Sequence, residues 1–89
     1  MSRILISPDQ VDEVANQFQQ SKEQSQQVIE RLNQQIHQME GQWDGMTKQK
    51  FFQEFQEANR QMTGFVLLLE SISHELHAIA TKFRQADSQ

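Results

Sequence analysis

Cysteine is absent from the 89-residue chain, so neither a disulfide framework nor a thiolate metal site can staple it. Proline occurs once and glycine three times, so the usual breakers of regular structure are scarce. Basic residues do not dominate: eight Lys and Arg stand against twelve Asp and Glu, for a formal charge of −4. An acidic chain with no Lys/Arg cluster argues against nucleic acid or an anionic membrane surface as its partner. Long apolar runs are missing as well. Phe65 to Leu69 is the longest, far short of the roughly 18 residues a membrane span needs. The opening Met1-Ser2-Arg3-Ile4-Leu5-Ile6-Ser7-Pro8 holds a three-residue apolar run, far short of the roughly 7 to 15 residues of a signal-peptide core. No cleavable leader is expected.

What is plentiful is Gln, Glu, Lys, Leu, Met and Ala, residues that lose little rotamer freedom in a helix, and the composition is that of an all-α protein. Only 36% of the residues are hydrophobic and the mean hydropathy is −0.75. A lone globule of this size would bury a thin core, so extra buried area must come from association.

Ser7-Pro8-Asp9-Gln10 is a helix start: Ser7 as N-cap, Pro8 at the first helical position, Asp9 favoured by the dipole, Gln10 closing a capping box. From there Val11, Val14, Phe18, Ser21, Ser25, Val28, Leu32, Gln35 and Met39 advance by threes and fours, with Ala15, Ile29 and Ile36 widening the stripe. This predicts a first helix over about 8–40. Gly41 and Gly45 bracket a turn at 41–45, after which Asp44 can cap a second helix over about 46–86, followed by a short tail at 87–89. In the second helix Phe51, Phe55, Ala58, Met62, Phe65, Leu69, Ile72, Leu76, Ile79 and Phe83 keep heptad phase throughout. Gly64 falls inside it, as a small contact rather than a break. One domain results, an antiparallel helix-turn-helix hairpin.

Phe52, Val66, Leu67 and Leu68 lie beside the main stripe and make an apolar surface wider than one partner helix can cover. A second hairpin is the economical cover, giving an elongated four-helix bundle as a dimer. Phe18, Ser21, Ser25, Phe51, Phe55, Met62, Phe65 and Leu69 are the candidates for that core and interface. Ser21 and Ser25 stand where large apolar groups are expected, either as a wet patch or as a waist where two first helices cross or Phe65 inserts. The glutamines, such as Gln19, Gln20, Gln26, Gln27, Gln34 and Gln38, form a solvated face.

Catalytic chemistry finds no footing. Glu70, His74 and His77 sit at i, i+4 and i+7 on a polar face, without the supporting shell a metal site requires. His74-Glu75-Leu76-His77 misses the metalloprotease H-E-x-x-H spacing by one residue. His37 near the first helix end suits the helix terminus. No nucleophile arrangement or Gly-rich phosphate loop is present, so no catalytic residue, metal or cofactor is expected.

Trp43-Asp44-Gly45 in the turn, with Thr47 and Phe51 following, gives the spacing Trp-x-Gly-x-small-x-x-x-Phe at the centre of two heptad helices. The whole chain resembles the WXG-motif family of ESAT-like (early secreted antigenic target) proteins. That resemblance implies a helical hairpin that dimerises with itself or a related chain and leaves the cell, folded in the cytoplasm and without a cleavable signal peptide, through a type VII (ESX/Ess) secretion system whose ATPase or channel is its partner. Members often end in a Tyr-x-x-x-Asp/Glu export signal. Here Phe83-Arg84-Gln85-Ala86-Asp87 keeps the spacing with Phe in place of Tyr, which retains the ring and loses the hydroxyl. Phe83 and Asp87 are therefore export-signal candidates, or simply the last heptad rung and a polar end. Trp43 and Gly45 carry the turn motif. In an antiparallel dimer the turn of one protomer meets the tail of the other, so one receptor could read both. The competing reading is an intracellular structural or adaptor bundle. A membrane-perturbing effector has only the Phe65 to Leu69 run in its favour, and the scarcity of positive charge opposes it.

Overall fold

In the computed structural model the structure describes residues 6–43 and 45–87, and within them not the side chains of Met46, Thr47 and Asp87. Two helices make up the fold, α1 (Pro8–Met39) and α2 (Met46–Asp87), joined through a 3-10 turn at Glu40–Gln42. The hairpin measures 67 × 22 × 16 Å with a radius of gyration of 20.1 Å, well above the roughly 12 Å expected of a globular chain of this length. It is a rod.

The start of α1 is built as its sequence dictates. The Ser7 hydroxyl accepts from the Gln10 backbone N–H at 3.2 Å, and the Gln10 side-chain oxygen accepts from the Ser7 N–H at 2.8 Å, so two otherwise orphaned donors are satisfied reciprocally. Pro8 occupies the first turn. At the other end the Glu40 N–H donates to the His37 carbonyl, and the chain tightens before Trp43 turns extended at φ −128°, ψ 119°. Gly45 then adopts φ +96°, the left-handed region where a side chain would be strained. Gly41 has no such φ, so of the two glycines at the turn only Gly45 is demanded by the backbone. The capping role expected of Asp44 lies outside the described residues, as does the opening segment 1–5.

α2 runs unbroken through Gly64 and on to Asp87, so the residue expected to begin the tail is helical. No atom lies within 4 Å of the Cβ that a side chain at Gly64 would add. Within one hairpin Gly64 is therefore not the small contact expected; it faces open space.

The seam between the helices departs from the single stripe read in the sequence. Its buried members are Val11, Ala15, Val66, Leu69, Ser73 and Ala80, with Ala15 and Ala80 at 0% exposure. Of the long stripe on α2, Leu69 is buried, Phe51, Phe55, Met62, Ile72, Leu76, Ile79 and Phe83 are half-buried, and Ala58 and Phe65 are exposed. On α1, Phe18 and Ser25 are half-buried while Val14, Ser21, Val28, Leu32, Gln35 and Met39 are exposed. At about 100° per residue most of the heptad positions lie to one side of each contact line, which Val11, Val66 and Leu69 share with the small residues Ala15, Ser73 and Ala80. The reason is steric. Where two helices approach most closely small side chains fit best, so most of the larger heptad residues are turned to the side.

Candidate functional site

Three regions of the rod hold features beyond simple helix pairing. At the turn, the extended backbone of Trp43 and the left-handed Gly45 let the indole fold back over the first turns of α2. Its ring lies 5.0 Å from Phe51 and 6.3 Å from Phe52. Phe51 in turn meets Phe52 edge-on at 5.6 Å and stacks on Phe55 at 6.1 Å. Offset and tilted contacts of this kind add to the area they bury. The four rings are only half-buried, so this end of the molecule combines a fixed shape with accessible aromatic surface.

At the opposite end a charged clasp ties α2 to the start of α1. Arg84 donates to Asp9 at 2.7 Å and to Asp12 at 2.6 Å, and the His77 Nδ1 stands 2.6 Å from the Asp12 carboxylate. Below it the Ser73 hydroxyl donates to the Ala15 carbonyl at 2.8 Å inside the seam. Hydrogen bonds from His77 and then Arg84 hold the Asp12 carboxyl below its ordinary 3.8, against a smaller opposing effect of burial. The bonds to Asp9 and Asp12 raise Arg84 above its ordinary value, as charge-assisted pairing requires. Phe83 beside this clasp is half-buried. Asp87 is the last helical residue, and its side chain lies outside the described residues. Residues four apart share a helix face, which places positions 83 and 87 on one side of α2.

The third region is the flank where the outward heptad residues gather. Gln24, Ser25, Val28 and Ile29 of α1 with Ala58, Gln61, Met62 and Phe65 of α2 line an open groove of about 530 Å³ near the middle of the rod. Phe65, Leu68, Val28 and Leu32 are among the large apolar side chains left exposed. The structure thus puts Ser25, Met62 and Phe65 in one place, with Ser21 exposed a turn before Ser25; Phe51 and Phe55 belong to the turn cluster, and Leu69 to the buried seam.

Two polar features differ from the sequence reading. The Glu70, His74 and His77 set is not one solvated patch, since Glu70 stands 3.8 Å from both Lys22 and His74, while His77 engages Asp12 across the hairpin. Among the described residues no group of three or more His, Cys, Asp or Glu could hold a metal ion. His37 pairs with Glu40 at 3.3 Å at the end of α1. The clasp itself escaped the sequence reading, because Asp12 and Arg84 are 72 positions apart and only the hairpin register brings them together. An acidic first turn facing a basic last turn across a hairpin was the signal available.

Chemically the arrangement offers two shaped ends and one apolar flank. Among the described residues no helix is long and apolar enough to cross a membrane.

The model of the family described as "Proteins of 100 residues with WXG" matches residues 3–88. Among solved structures, the secreted protein EsxB of Bacillus anthracis is 38% identical, with a TM-score of 0.87 over 94% of this chain and 90% of that one. EsxA of Geobacillus thermodenitrificans is 29% identical, with a TM-score of 0.83 over 98% of this chain and 95% of the other. A protein of Staphylococcus aureus named type VII secretion system extracellular protein A is 25% identical over 100% of this chain and 92% of its own length.

Proposed function

Because the chain belongs to the WXG family of about 100-residue proteins, we propose that it is a substrate of a type VII secretion system, exported as a folded dimer. The dimer is formed with itself or with a related WXG chain, acts by protein–protein contact, and is handed to the ATPase or channel of that system. The observation that carries this reading is the full-length match to secreted relatives. The exposed apolar flank supports the dimer, since a contiguous patch of this kind on a small helical protein marks an interaction surface. Release is tested by measuring the protein in culture medium without lysis markers, in cells with and without the secretion ATPase. Loss from the medium when the ATPase is removed is expected; equal amounts in both strains would overturn export by this route and favour an adaptor bundle that stays inside the cell.

The export surface is composite in this reading, formed by the Trp43 turn of one protomer and the Phe83/Asp87 tail of its partner in an antiparallel dimer. The 67 Å length of the hairpin supports it, because turn and tail of one chain are too far apart to be read together. Mixed dimers test it. Trp43→Ala and Asp87→Ala on the same chain, paired with an unaltered chain, leave each composite with one defective half, and export should be abolished. The same two substitutions divided between the chains leave one composite whole, and export should return. Export from the first arrangement and its loss in the second would show instead that a single chain is read alone.

A further inference from the structure

The mid-rod groove carries an exposed aromatic ring on its wall. Phe65 is 53% exposed and forms one wall of a groove of about 530 Å³ whose other walls are Ser25, Val28, Ala58 and Met62. That volume lies in the range of sites that enclose a whole small ligand, about 300–1,000 Å³, so a ring from outside can enter. Every one of the eight lining residues is uncharged on a chain of formal charge −4. This flank is therefore a place where two like-charged copies can approach without repulsion, and it offers a partner of opposite charge nothing to pair with.

Position along the rod supplies the second argument. In a two-fold pairing residue i touches j and j touches i, and when the rods run antiparallel a residue can meet its own counterpart only near the middle. Phe65 is close to the centre of α2 (Met46–Asp87) and Ser25 and Val28 are close to the centre of α1 (Pro8–Met39). A two-fold axis through this level puts each Phe65 over the other copy's groove.

We infer that Phe65 of each protomer fills the groove of a second copy, a ring-and-groove lock that makes the chain select itself over other apolar partners. This rests on the dimer reading above and adds to it the residues that decide which chain is accepted. Ser25 and Ala58 keep the groove open by being small; Phe65 is the group that occupies it.

The test exchanges ring and groove. Phe65→Ala removes the ring, and Ala58→Phe fills the groove from within; both positions are exposed in the single hairpin, so helicity by circular dichroism should be retained. Each variant alone should dimerise at least about a hundredfold more weakly than the unaltered chain, the scale of losing a buried Phe on both sides. Mixed together they should pair, because the Ala58→Phe chain supplies a ring to the empty groove of the Phe65→Ala chain, and the missing ring matches the filled groove. Sedimentation and native mass spectrometry read the species formed. An unaltered chain that is monomeric at micromolar concentration would overturn the dimer reading itself. An unaltered dimer whose affinity is insensitive to Phe65→Ala, or variants that mix without preferring each other, would overturn the lock alone. Loss of helicity in Phe65→Ala that mixing with Ala58→Phe does not restore would also overturn it.

Discussion

The two halves of the hairpin are held together differently. Toward the tail, Val11, Ala15, Leu69, Ser73 and Ala80 lie buried on a narrow contact line, reinforced by the Asp9, Asp12, His77 and Arg84 clasp. Toward the turn, Trp43, Phe51, Phe52 and Phe55 are large and only half-buried, and the one polar link across the helices there is Asn33 to Asn59 at 3.1 Å among the hydrogen bonds described. Small residues let two helices complete their contact without outside help. Aromatic rings hold them further apart and leave surface to be covered by something else. Most of the hairpin's own stability should therefore come from the tail half, and most of its dependence on a partner from the turn half and the mid-rod groove.

The sharpest way to break that contrast is Leu69→Ala, which removes a side chain 7% exposed and should cost about 2 to 5 kcal/mol in chemical denaturation. A loss under about 1 kcal/mol would mean that the tail half does not carry the fold. Phe55→Ala should cost less at dilutions where the chain is monomeric, about 2 kcal/mol for a half-covered ring, and more as concentration rises and the dimer forms. A cost that does not change with concentration would remove the turn half's dependence on a partner. Gly64→Ala should stabilise by about 0.5 to 1 kcal/mol, because helix propensity improves and nothing lies within 4 Å of the added Cβ. A destabilisation visible only in the dimer would place Gly64 at the interface between protomers.

The clasp gives a pH dependence of defined sign. Asp12 is depressed by His77 and Arg84, so its contribution is present above the ordinary carboxylate range and is lost as pH falls through its folded value. Thermal melts between about pH 6 and about pH 2 should therefore fall more steeply for the unaltered chain than for Asp12→Asn. Parallel curves would show that the clasp adds nothing to stability. Asp87→Ala should have the smallest effect, within about 0.5 kcal/mol, while secretion falls; an unfolding cost comparable to Leu69→Ala would make Asp87 a structural residue instead.

Much of this could be read from residues alone, and the reason differs by element. The start of α1 is legible because Ser7, Pro8 and Gln10 act within four positions of each other, where sequence neighbours are spatial neighbours. Both long helices are legible because apolar steps of three and four persist, and the turn because Gly45 needs a left-handed φ. The division of the heptad stripe is not. Leu69 and Phe65 are both in phase, yet one is 7% and the other 53% exposed, since their fate depends on how far the contact line is rotated from the centre of the stripe. Ala15 and Ala80, the most buried of the described residues, carry weak hydrophobic signals, and their role follows only from the close approach of the helices.

Two amphipathic helices joined at a Trp-x-Gly turn follow from the order of residues alone, because caps, propensity and periodicity are local and a long helix averages them over many turns. The register between the helices is set by their packing. That one variable sets Arg84 against Asp9 and Asp12, seats Ser73 on the Ala15 carbonyl, and leaves Phe65 beside an open groove. Each depends on residues far apart in the chain standing at the same height along the rod, and no local preference encodes that height.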